Sequence, residues 1–126
     1  MQDIIKKLRF KGKGVVINAP KALEIEFIEN GFSKAFNTHQ KSQNTLVFIN
    51  NNEEFLNFLN NKLKTVEFDS VLWFAYPKGT SKIKTDINRD TIRKTAEAFG
   101  ITTVTAISIN ETWSALRFRP IEQVGK

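Results

Sequence analysis

"SVLWFAYPKGTSKIKTDINRD", residues 70–90, passes from the most apolar run of the chain into a basic, hydroxyl-rich stretch and then into a helix start. From Ser70 to Tyr76 no residue is charged. A half-solvated strand would alternate polar and apolar positions, so this run reads as a central strand covered on both faces. Beyond it, Asn88 is placed to cap a helix, Ile87 and Ile92 to close a hydrophobic staple, and Gly100 to stop it. Ile92, Ala96 and Phe99 lie on the face such a helix would bury. A buried strand followed by an amphipathic helix is half of a parallel β-α-β unit.

The same grammar recurs on either side. "TLVFIN" (45–50) is an apolar strand, after which Asn52 can cap a helix with Glu53 and Glu54 in its first turn. Phe55, Leu56, Leu59 and Leu63 form the buried stripe of that helix. "VVINAP" (15–20) is a β-branched strand closed by a proline. "PKALEIEFIENG" (20–31) fits strand and helix spacing alike, and Pro20 at a first helical position with Gly31 past the end favours the helix. "FSKAFN" (32–37) reads as a short second strand, and Ile4, Ile5 and Leu8 have helical spacing. "ITTVTAISI" (101–109) and "WSALRFR" (113–119), joined by "NET", should pair as an antiparallel hairpin. The expectation is one α/β domain over residues 1–126. It is a three-layer sandwich around a mostly parallel six-stranded Rossmann-like sheet, with the last strand antiparallel.

Composition narrows the function. The chain of 126 residues can bury about two thirds of its unfolded surface. No apolar run approaches bilayer length, and "MQDIIKKLRFKGKG" lacks the continuous apolar core of a secretory signal, so a cytoplasmic protein without membrane partners is expected. With no cysteine there is no disulfide, thiolate metal site or cysteine nucleophile. The single histidine, His39, sits in a polar stretch, and neither a metal-ligand spacing nor a G-x-S-x-G elbow exists. These absences argue against catalysis, and no catalytic residue, metal or cofactor is assigned. Net charge is +6. Five basic side chains against one acid stand in residues 1–13, and nine against five in residues 76–126. That balance favours an anionic partner. Nucleic acid is the less favoured form of it, because no aromatic residues interleave with Lys6, Lys7, Lys11 and Lys13.

"LWFAYPKGTSKIKTDINRD" and "ETWSALRFRP" resemble an uncharacterised bacterial family, a domain of unknown function of short α/β proteins similar to reduced Rossmann-like methyltransferases. The resemblance is specific in residues 72–119 and loose before residue 70. It implies a sheet order of 2-1-3-4-6-5, with the sixth strand antiparallel between the fourth and fifth, and it implies no activity. Two departures from full methyltransferases stand out. Their first strand–helix turn is Gly-rich, whereas here it is Asn18-Ala19-Pro20-Lys21, without Gly and with one backbone donor removed. An acid that holds ribose hydroxyls after the second strand is replaced by Asn37, Thr38 and His39. A reduced S-adenosylmethionine-dependent methyltransferase is therefore the alternative reading.

In open parallel sheets, ligands rest beyond the carboxyl ends of the strands, near the point where strand order reverses. The turns Asn18–Lys21, Asn50–Asn52 and Tyr76–Lys82 should share that edge, and the Asn110–Thr112 turn brings Trp113 to it. The connection from Pro77 to Ile87 exceeds the usual two to six residues or so of such loops. Lys78, Thr80, Ser81 and Lys82 could offer charge and hydroxyls to an anion. The plainer reading, a turn shaped by Pro77 and Gly79 with its lysines in water, stands beside it. Gly79 follows Lys78 with no second glycine upstream, so this is no Walker motif. The candidate ligand-binding set is thus Asn18, Asn50, Tyr76, Lys78, Thr80, Ser81, Lys82 and Trp113. The expected function is a non-catalytic binding or regulatory domain for a small anionic or nucleotide-like ligand. Arg117 shares one face of the last strand with Trp113 and Ala115, and inside a covered strand it needs a partner, with Asp90, Glu97 and Glu111 as candidates.

Overall fold

The computed structural model describes residues 1–126. Four helices and five strands alternate along the chain: α1 (Gln2–Leu8), β1 (Val15–Ile17), α2 (Lys21–Glu29), β2 (Ser42–Phe48), α3 (Asn52–Asn61), β3 (Val66–Pro77), α4 (Arg89–Glu97), β4 (Ile101–Ser108) and β5 (Trp113–Pro120). The strands form one mixed sheet in the order β1-β2-β3-β5-β4. β1, β2 and β3 pair in parallel, while β5 lies antiparallel between β3 and β4. No helix is long and apolar enough to cross a membrane.

The expected six-stranded, mostly parallel sheet is thereby corrected. Residues 32–37 form no strand, and only Ser33 bridges to Val15. Val16 donates its N–H to the Ser33 carbonyl at 2.8 Å, and Ser33 donates to Gly14 at 3.0 Å. The cause is the placement of two aromatic anchors. Phe32 packs against Phe27 and Phe10 on one side of the sheet. Phe36 packs against Phe58 on the other. The segment therefore crosses the edge of the three-residue β1 instead of running along it. With that strand gone, half of the remaining pairings are antiparallel.

Strand alternation builds a core on each face. β3 sends Leu72, Phe74 and Tyr76 toward α3 and α4, where they meet Phe55, Phe58, Leu59, Ile92 and Ala96. Phe74 is the hub, edge-on to Phe55, Phe58 and Phe118 at centroid distances of 4.9, 5.3 and 5.4 Å. Val71, Trp73 and Ala75 face the other way, toward Leu8 of α1 and Phe27 of α2. Each large side chain fully buried in this way contributes about 1.5–3 kcal/mol. Trp73 also donates Nε1–H to the Leu8 carbonyl at 2.8 Å, which satisfies an orphan carbonyl at the end of α1.

Local signals set the helix starts. Asn88 caps α4 in a reciprocal capping box with Thr91, and Ile87 and Ile92 are both buried. The cap of α3 is Asn51 rather than Asn52. Asn51 has the extended backbone a cap requires and accepts the Glu54 N–H at 2.9 Å.

Candidate ligand-binding rim

Three strand ends and one helix start meet at the carboxyl edge of the sheet. β1 is followed by Asn18, whose φ of +60° lies in the left-handed region that Asn tolerates better than most residues. That turn aims the Asn18 amide across the gap to β2. It donates to the Phe48 carbonyl at 3.1 Å and to Glu54 Oε1 at 3.2 Å. Asn50, just past β2, donates to the same Oε1 through its backbone N–H at 2.9 Å and its side-chain amide at 3.1 Å. Asn18 and Asn50 therefore converge on one carboxylate, and its Oε2 is left without a partner in the protein. Glu54 stands in the first turn of α3, where the helix dipole favours its charge. Sequence reasoning assigned it that dipole role alone. Its spacing of four residues from Asn50 was the available signal for more.

The long connection after β3 folds back onto this edge. Lys78 donates its N–H to the Thr112 carbonyl at 2.8 Å and its Nζ to Ser108 Oγ at 2.7 Å. Ser81 Oγ is spent on the Lys78 carbonyl at 2.7 Å, whereas Thr80 and Lys82 are exposed. Farther on, Thr85 Oγ1 donates to the Asn50 carbonyl at 2.6 Å, and Asp86 Oδ1 accepts the Asn52 N–H at 2.8 Å. These two residues, which sequence reasoning missed, lace the loop to the β2–α3 turn. Tyr76 and Trp113 lie beneath the rim in opposite cores, Tyr76 among the α3/α4 contacts and Trp113 edge-on to Phe48 at 5.1 Å. Adjacent strands are about 4.8 Å apart, so the β1 and β3 ends stand about 10 Å from each other.

A pocket of about 370 Å³ opens beside Asn18 and Glu54, with Ile17, Val47, Phe48 and Phe58 among its walls. A second, of about 390 Å³, lies at the opposite, amino edge and is lined in part by Leu63, Leu72, Phe99 and Arg119. No group of three or more His, Cys, Asp or Glu is placed to hold a metal ion. Arg117 pairs with none of Asp90, Glu97 or Glu111. The strand's ion pair is instead Arg119 with Asp69, Nε to Oδ1 and Nη2 to Oδ2, both 2.9 Å. No sequence signal marks Asp69, because a left-handed backbone, φ +54°, presents it.

No protein-family profile and no curated protein sequence matches the chain. Among solved structures, LepI in complex with SAM is similar in fold, with a TM-score of 0.52 and 12% identity over 94% of this chain. The match takes in 39% of LepI, so the chain spans about two fifths of that protein's length. The first turn of the rim departs from the Gly-rich turn of full methyltransferases. The β1–α2 turn carries Cβ atoms at Asn18 and Ala19, and Pro20 at its end lacks a backbone donor. The Asn18 amide already occupies the gap between β1 and β2. Residues 32–37, between α2 and β2, form no strand that could bring an acid toward a ribose. What the chain shares with a SAM-bound protein is its fold.

Proposed function

We propose that the protein is a non-catalytic binding or regulatory domain whose carboxyl rim holds a small nucleotide-like ligand. The observation that carries this reading is the convergence of the Asn18 and Asn50 amides on Glu54 at the mouth of the pocket. Oε2 of Glu54 is an acceptor in want of a hydroxyl or amine, and Ile17, Val47 and Phe58 offer apolar surface to a ring. The anionic end of the ligand lies toward Thr80, Lys82 and Lys78, the exposed or half-exposed donors of the long loop. Tyr76 and Trp113 support the rim from the two cores beneath it, and Ser81 holds the turn.

Calorimetric and thermal-unfolding titrations with adenosine, adenosine monophosphate, ribose 5-phosphate and SAM test the proposal. A ligand at a hundred times its Kd stabilises the fold by about 2.7 kcal/mol. The nucleotide is expected to bind, and Glu54→Gln to weaken it. Silence from every compound would refute the reading. The rival, a reduced SAM-dependent methyltransferase, has the likeness to the SAM-bound fold in its favour. It would be preferred if SAM bound and the nucleotide did not.

A further inference from the structure

β5 carries two arginines toward the amino end of the sheet, and only one of them is neutralised. Arg119 holds Asp69 through two parallel hydrogen bonds. Arg117 lies two residues earlier on the same face of the strand, between Trp73 of β3 and Thr105 of β4. It makes no ion pair, and its Nε is sealed from solvent with no acceptor. With Nε enclosed, the guanidinium is left to meet a partner through its two terminal nitrogens, which are neither enclosed nor paired within the protein.

The surroundings say what that partner is. An open recess of about 650 Å³ is lined by Lys11, Asp69, Thr103, Val104, Arg117 and Arg119, with Val124 and Gly125 at its rim. It gathers three cations against one carboxylate, and that carboxylate is committed to Arg119. The hydrogen bond from Arg119 holds the Asp69 carboxyl below its ordinary value against the opposing effect of burial. The charges of Arg119, Arg117 and Lys11 act in the same direction, which puts all three in electrostatic reach of one point. Two backbone irregularities shape the recess. Residues 67–70 bulge from β3 between the Ser42–Val66 and Asn44–Val71 pairs, and β4 shifts register between Thr103 and Thr105. Bulges of this kind re-aim side chains and recur beside binding sites.

We propose that this recess binds the phosphate group of a small molecule. Arg117 supplies the planar fork for two phosphate oxygens, Lys11 supplies a second charge, and Asp69 holds Arg119 in place. A dianion matches the surplus of two positive charges. A concave site floored by strands suits a compact ligand. A nucleic-acid backbone needs cations strung along a surface, and Lys6, Lys7 and Arg9 stand around a separate depression. The site lies at the opposite end of the sheet from the rim and does not depend on what the rim binds.

Amide NMR titration of the full chain at low salt decides the matter, with inorganic phosphate and phenyl phosphate in one arm and a short single-stranded oligonucleotide in the other. Saturable shifts at Lys11, Thr103 to Thr105 and Arg117 are expected with both phosphates. Arg117→Gln should weaken phosphate binding about tenfold or more, the worth of one charge-assisted bond, while Lys94→Gln, at an exposed position of α4, leaves it unchanged. Absence of saturable shifts at millimolar phosphate overturns the proposal, as does undiminished binding by Arg117→Gln. So does an oligonucleotide response weakened as much by Lys6→Gln and Lys7→Gln as by Arg117→Gln, which would make this face a polyanion track. If Arg117→Gln does not fold, Lys11→Gln at an exposed position takes its place, and unchanged phosphate affinity in that variant is equally fatal.

Discussion

Replacing Glu54 with alanine tests whether the rim is a built cluster or a chance meeting of polar side chains. The substitution removes the acceptor of three donors, at 2.9, 3.1 and 3.2 Å. Hydrogen bonds to a charged group are worth about 1.5–3 kcal/mol when shielded and much less in water. The Asn18 bond is exposed and the two from Asn50 are part-buried. Full weight therefore belongs only to the Asn50 backbone N–H, which would be left unpaired, and the total comes to about 2 kcal/mol. For a domain of this size that lowers Tm by about 8 °C. Glu53→Ala is the control, because it removes an exposed carboxylate from the same helical turn and loses only the dipole contribution of about 0.3–1 kcal/mol. Urea and thermal denaturation by circular dichroism measure both. Equal losses in the two variants would refute the convergence on Glu54, and with it the proposed rim.

Three further outcomes follow from the packing and the charges. Gly14→Ala places a Cβ 2.6 Å from the Phe10 ring and 2.7 Å from the Phe32 ring, which should cost about 1–3 kcal/mol in urea denaturation, while Gly79→Ala meets no atom within 4 Å and should be neutral. Trp73→Phe leaves the Leu8 carbonyl without its buried donor and shrinks a fully packed side chain, a loss of about 2–3 kcal/mol by the same assay. Asp69 titrates below its unfolded value, so its contribution is fully present above the ordinary 3.8 and drains as pH falls through the lower folded value. The stability gap between wild type and Asp69→Asn should be flat at neutral pH and close below that ordinary value, and a gap that persists in strong acid would contradict the ion pair.

Sequence patterns located the elements wherever one periodicity dominated. The uncharged run Ser70–Tyr76 lies inside β3, and Asn88 with Ile87 and Ile92 marks the start of α4. They failed at residues 32–37, where phenylalanines spaced four apart anchor in two different cores. That division of labour depends on tertiary packing, and no local period encodes it. At the rim, position was legible and partnership was not. Asn18 and Asn50 could be assigned to one edge from strand direction alone. Their meeting at Glu54 needs the left-handed turn at Asn18, and the lacing by Thr85 and Asp86 needs the loop to double back. An arginine inside a covered strand, such as Arg117, needs a partner. The acid that came to β5 chose Arg119 instead, because the bulge in β3 delivers Asp69 two residues farther along the strand.

The insertion of β5 between β3 and β4 also fixes an order of assembly. While the chain is being made, β4 has no neighbour to grip until β5 has emerged, because nothing else in the sheet touches its inner side. β4 therefore joins the sheet only through β5, which lies along the flank of β3 from Leu72 to Pro77. A nascent chain interrupted anywhere before Trp113 would present β3 as a bare, strongly apolar flank. The closing strand thus decides between a finished sheet and a sticky one.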